Sequence, residues 1–304
     1  MIQVGIFSAY FPYDLEQTAS KIRALGFNTV QLDLHFKDLD LSDGQLTAEK
    51  GKRVRDTFRD HDLPISGISA YTNMIHPDPD VRRSNVERVK EILRHARDFG
   101  SPYVISETGT MNPDSEWDSH PDNRSERAYD LARETLADFA QTAWDHGATF
   151  LMETYVNNVI GSVREAARAF NDVNHPGLEL LMDPTNFFDG DNIDDQKGTL
   201  DEVFDVLGDR VRVAHAKDVK RAGDDKQEKH ADIGDDDALA SHTFRGVGDI
   251  ELPAAGLGAM DYDHFVKRLS ERSPNVPLII EHLDESDVPR AKKFIDEVLK
   301  RQGV

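Results

Sequence analysis

A single (β/α)8 TIM barrel is the fold that this 304-residue chain predicts, as one domain running from residue 1 to residue 304. Three observations carry the prediction. Eight short apolar runs alternate with longer amphipathic segments from one end of the chain to the other. The first run opens no G-x-G-x-x-G turn or P-loop, and YFPYDLE offers no glycine to a phosphate, which argues against a doubly wound open sheet. The two longest connections, SETGTMNPDSEWDSHPDNRSE and Val219 to Ala259, both follow strand C-terminal ends, the side on which barrel enzymes build their sites.

The first strand is expected over Gln3 to Ser8, and DLEQTASKIRALGF after it has apolar residues at helical spacing and a glycine to close the helix. Asn28 to Leu34, Ile65 to Tyr71 and Tyr103 to Thr108 are the next three strands. DVRRSNVERVKEILRHARDFG and SERAYDLARETLADFAQTAWDHG supply the helices after the third and fourth. Thr149 to Thr154, Leu178 to Asp183, Val211 to Ala216 and Pro277 to His282 complete the eight, with SVREAARAFNDV following the fifth and VPRAKKFIDEVLKRQG following the last.

Alternation along a strand assigns faces. In VQLDLHF, Val30, Leu32 and Leu34 face the helix layer, which turns Gln31, Asp33 and His35 inward. The same rule turns Glu153, Asp183, His215 and Glu281 inward on the last four strands, each near its strand's C-terminal end. Neighbouring strands lie about 4.8 Å apart, so four such groups can converge on one ion. Three carboxylates and one imidazole suit a single divalent cation, with Mn²⁺, Mg²⁺ or Co²⁺ preferred and Zn²⁺ compatible. The chain has no cysteine, so thiolate ligation and disulfides are excluded.

A formal charge of −21 sets the surface against nucleic acid and anionic membranes. No apolar run approaches spanning length and MIQVGIFSAYF lacks a basic lead, so a soluble cytoplasmic protein is expected, with a homo-oligomer compatible with the surface. The acid is spread along the chain as well as clustered in GDNIDD and IGDDDAL, a composition that suits a salt-loving host. Thermal melts should therefore rise between low and molar KCl as counterions screen self-repulsion. A flat or falling melting temperature would return the charge to an ordinary acidic surface.

METY, LMDPTN, HAKD and IIEHL, in that order on the last four strands, together with the MIQVGIFS start and VGDIELPAAGLGAMDYDHF, resemble the xylose-isomerase-like TIM-barrel superfamily of sugar phosphate isomerases and epimerases. The resemblance implies one divalent ion, often Mn²⁺, held by Glu153, Asp183, His215 and Glu281. It also implies that Glu153 and Glu281 act as an acid/base pair on a small carbohydrate, a keto-sugar or polyol. A proton taken from one face and returned to the other epimerises the centre through a metal-stabilised enediolate, and return to the adjacent carbon isomerises it.

Two positions depart from the ketose epimerases: Asn186 stands where they carry a histidine, and Val159 where they carry a glutamate. These departures leave open a lyase acting on an inosose or 3-keto-glycoside. A nuclease of the AP-endonuclease type needs more histidines and a basic face. Asn186, Lys217, Arg221, Glu107 and His35 are the expected substrate contacts, Arg221 matching an arginine of the family and the others placed by strand parity or by the motif. No glycine-rich phosphate cradle follows the eighth strand, which favours an unphosphorylated substrate. The segment from Val219 to Ala259 is long enough to fold over the mouth as a lid.

Overall fold

The computed structural model describes residues 2–222, 243–245 (backbone only) and 249–304. Eight parallel strands close into a barrel: β1 (Gln3–Phe7), β2 (Thr29–Leu32), β3 (Ile65–Ser69), β4 (Tyr103–Glu107), β5 (Thr149–Glu153), β6 (Leu178–Met182), β7 (Val211–Ala216) and, after a small separate sheet, β11 (Pro277–Ile280), which closes the ring between β7 and β1. A helix follows each strand: α1 (Leu15–Ala24), α2 (Ala48–Asp60), α3 (Pro79–His95), α4 (Glu126–Asp145), α5 (Val163–Val173), α6 (Gln196–Leu207), α7 (Tyr262–Arg272) and α8 (Val288–Gln302). The expected fold is the observed one. No described helix is long and apolar enough to cross a membrane.

Local sequence explains where the helices begin and end. Thr47, Asp78, Ser125, Ser162, Asp195 and Asp261 each accept a backbone N–H of the first turn, and Pro79 follows Asp78 at the first helical position. Asn174 and Gly303 end α5 and α8 in the left-handed conformation. Inside the barrel, Gly5 and Gly67 make room for larger neighbours: a Cβ on either would stand 2.5 Å from Cδ1 of Ile279 or of Ile105. Small and branched side chains thus interleave around the lumen, which is filled rather than open.

Seven of the eight strands end one or two residues before their apolar runs do, because the chain leaves the ladder to turn. Ser8–Tyr10 and Pro184–Phe187 form 3-10 turns directly after β1 and β6. On β2 the early exit matters for function: Gln31 stays in the lumen and fully buried, whereas the His35 side chain is 91% exposed. Alternation ends with the strand at Leu32, so His35 does not line the buried lumen.

The described parts of the connection after β7 include strands of their own. β8 (Lys220–Arg221), β10 (Ile250–Pro253) and β9 (Thr243–Arg245) form a three-stranded antiparallel sheet. The buried Asp218 carboxylate accepts the backbone N–H groups of Val219, Gly256 and Met260 and so ties the return of this excursion to the end of β7. The middle of the expected lid, residues 223–242 and 246–248, lies outside the described residues.

Candidate metal centre

The last four barrel strands place the four candidate ligands on a rising step. Glu153 pairs in register with Leu181, Leu181 with Val213, and His215 with Ile279. Asp183 and His215 therefore lie one inward position above Glu153, and Glu281 one above His215. Tilted strands turn such a stagger into nearly equal height along the barrel axis, which is how side chains at unequal ladder positions meet.

Glu153, Asp183 and His215 are buried, and each offers a donor atom within 4.8 Å of the others. His215 Nδ1 lies 3.5 Å from Glu153 Oε1 and 3.6 Å from Asp183 Oδ2 without a hydrogen-bond partner. Glu281 sits against the other imidazole nitrogen, its Oε1 3.3 Å from Nε2 and likewise without a hydrogen-bond partner. Three of the four expected ligands thus share one focus, and the fourth flanks it.

Each ligand is held from behind. Tyr71 donates its hydroxyl to Glu153 Oε2 at 2.6 Å, and the Asn186 amide donates to Oε1 at 2.8 Å. Asp183 caps the turn that follows it: its Oδ1 accepts Thr185 N–H at 2.9 Å and the Thr185 hydroxyl at 2.7 Å, which aims Oδ2 at the site. His215 Nε2 lies 2.8 Å from Gln31 Oε1. After Glu281 the backbone of His282 is in the left-handed region, φ 59°, and its N–H bonds the Tyr10 hydroxyl at 2.7 Å. A non-glycine residue in that conformation is a strain that surrounding contacts must hold.

Lys217 completes the site from within. Its ammonium is 2.7 Å from Asp183 Oδ2, 3.3 Å from Glu281 Oε2 and 3.8 Å from Glu153 Oε1. Burial opposes its charge, but Asp183, Glu281 and Glu153 outweigh burial and hold the ammonium well above its usual range. The same competition pushes His215 up to about 10, with Glu281 and Glu153 as the opposing charges. With His215 deprotonated, as a metal ligand must be, three ionised carboxylates and one ammonium sum to −2, the charge that a divalent cation neutralises. The donor set, its burial and the unpartnered Nδ1 therefore fit a divalent ion.

Among the expected substrate contacts, Glu107 is buried beside Glu153 on the neighbouring strand, in a crevice shared with Tyr71, Glu116 and Trp117. Burial first, and then the Glu153 charge, keep its carboxyl well above the usual range. Asn186 is spent on Glu153. Arg221 is at the exposed start of the small sheet, paired with Asp194 at 2.6 Å and with the Gly190 carbonyl at 3.1 Å. His35 bonds Asp33 at 2.8 Å on the surface. From the sequence Tyr71 reads as an aromatic that packs or forms an apolar wall against a sugar, and Gln31 only as an inward residue; nothing in the sequence distinguishes a tyrosine that packs from one that holds a carboxylate.

The xylose isomerase-like TIM barrel family matches residues 19–300. The chain belongs to that family. No curated protein matches it in sequence. Among solved structures, this family member is similar to a xylose isomerase domain protein from Planctomyces limnophilus, with TM-score 0.69, 20% identity, and 99% of this chain and 98% of that chain covered. It is similar to an L-ribulose 3-epimerase with TM-score 0.70 at 15% identity, over 99% and 96% of the two chains. A probable 3-DHS dehydratase from Bacillus anthracis gives TM-score 0.70 at 15% identity, over 98% and 99%. At these identities the likeness is one of fold.

Proposed function

We propose that this protein is a divalent-metal-dependent isomerase or epimerase that moves a proton beside the carbonyl of a keto-sugar or of a polyol's keto form. The observation that carries the reading is the buried group of Glu153, Asp183 and His215 with its unpartnered Nδ1, flanked by a second glutamate. Glu153, Asp183 and His215 would hold the ion, and Glu281 would join them or face the substrate. When bound, a divalent cation polarises a carbonyl oxygen and so acidifies the neighbouring C–H.

The chain's own residues do the rest. Glu153 and Glu281 stand on opposite sides of the imidazole, one to take a proton from the substrate carbon and one to return it. Tyr71 and Asn186 fix the Glu153 carboxylate, so it meets the substrate in one orientation. Lys217, at the mouth side of His215, would hold a substrate oxygen.

A lyase using the same proton abstraction is the second reading, and Glu107 favours it. A buried carboxyl one strand from Glu153, whose hold on its proton is strengthened by burial and by the Glu153 charge, could protonate a departing group. The fold likeness to both an epimerase and a probable dehydratase is compatible with either. The charge of −21 and the single histidine in the described metal-binding group oppose a nuclease.

Metal-loaded protein incubated in D₂O with keto-sugars, inososes and 3-keto-glycosides should place solvent deuterium at one substrate carbon, read by NMR. Retention of the skeleton marks isomerisation or epimerisation, and loss of a group marks the lyase. Metal analysis should give about one divalent ion per chain. Two or three tightly held zinc ions, or no exchange with any of these substrates, would sink the proposal.

A further inference from the structure

Gln31 is fully buried on β2 and reaches across the lumen to His215 on β7. Its amide nitrogen donates to Ser69 Oγ at 3.0 Å, and its carbonyl oxygen is 2.8 Å from His215 Nε2. A carbonyl oxygen can only accept, so in this line of Ser69, Gln31 and His215 the ring carries a proton on Nε2, and it is this proton that stays when the imidazole becomes the neutral, ligating form. In that form the lone pair is on Nδ1, which faces Glu153 Oε1 and Asp183 Oδ2 without a hydrogen-bond partner.

A competing acceptor stands beside the same proton. Glu281 Oε1 is 3.3 Å from Nε2, without a hydrogen-bond partner, and a carboxylate is a stronger acceptor than an amide. Without Gln31, the Nε2 proton has Glu281 as its nearest alternative, and that bond would draw the carboxylate away from the ion and the substrate. A neutral amide takes the proton without adding a charge to a site that already holds three carboxylates.

We infer that Gln31 is a positioning residue of the metal centre: it fixes the His215 tautomer so that Nδ1 ligates, and it spares the Glu281 carboxylate for the ion and the substrate. The inference rests on the metal-dependent reading above. No other residue in the described structure hydrogen-bonds His215 Nε2.

The test titrates Mn²⁺ into chelator-stripped protein by calorimetry, for wild type, Gln31→Leu and Gln31→Glu. Loss of a residue that orients a ligating histidine lowers metal affinity by about 10–100-fold, so Gln31→Leu should show that loss. Gln31→Glu keeps an acceptor and should recover most of it. Ser69→Ala, which removes only the anchor of the amide and leaves the core packed, should weaken binding by a smaller factor. In ¹⁵N-labelled wild type loaded with diamagnetic Zn²⁺, long-range correlation spectra should place the His215 proton on Nε2.

Wild-type affinity in both Gln31→Leu and Ser69→Ala, or a His215 proton on Nδ1 in the Zn²⁺-loaded protein, overturns the inference while leaving the metal reading intact. A wild type that takes up no divalent cation overturns both.

Discussion

Glu281→Gln should lower turnover by about 10²–10⁴-fold while the protein still binds its divalent ion, because a proton carrier is removed and the group of Glu153, Asp183 and His215 is left whole. Glu153→Gln should lose both. Its Oε1 belongs to the ligand group and is also held by Asn186, so the neutral amide weakens the ion and presents an N–H₂ toward the Asn186 donor or the metal. Calorimetric metal titration beside initial-rate measurements separates the two variants. Near-normal turnover of Glu281→Gln at saturating Mn²⁺ would show that one glutamate suffices and that the two-carboxylate mechanism is wrong.

Lys217→Met should destabilise the metal-free protein by about 3–5 kcal/mol, the usual cost of removing one partner from a buried ionic cluster. The ammonium is the charge that Asp183, Glu281 and Glu153 share at 2.7, 3.3 and 3.8 Å, and methionine fills its space without replacing that charge. A drop in melting temperature on the order of 10 °C is expected in the presence of chelator. Saturating divalent cation should recover most of it, since the ion supplies positive charge to the same oxygens. Equal melting temperatures for Lys217→Met and wild type in chelator would mean that the carboxylates are already neutralised by protons, and the charge balance proposed for the site would fall.

The candidate site was legible in the sequence where chemistry follows strand parity. Glu153, Asp183 and His215 each sit two residues beyond an inward apolar residue, Leu151, Leu181 and Val213, and the structure brings their donor atoms together. Glu281 obeyed the same rule, yet it stands against the far nitrogen of His215, since it lies one ladder step higher. His35 obeyed the rule on paper only: β2 ends at Leu32, and alternation has no meaning once the backbone has left the sheet. Arg221 was placed by its spacing from His215, but the antiparallel sheet that follows β7 carries it to Asp194.

By itself the sequence determined the eight strand-and-helix units, their order, the inward carboxylates and imidazole, and the oxygen-and-nitrogen character of any metal site, because these depend on local periodicity and side-chain chemistry. Tertiary structure alone decided which groups support them. Gln31 meets His215 across 184 residues, Tyr71 meets Glu153 across 82, and Lys217 reaches three carboxylates from three strands. The closure and stagger of the barrel set those meetings, and both are properties of how all eight strands pair, which no single stretch of the chain encodes.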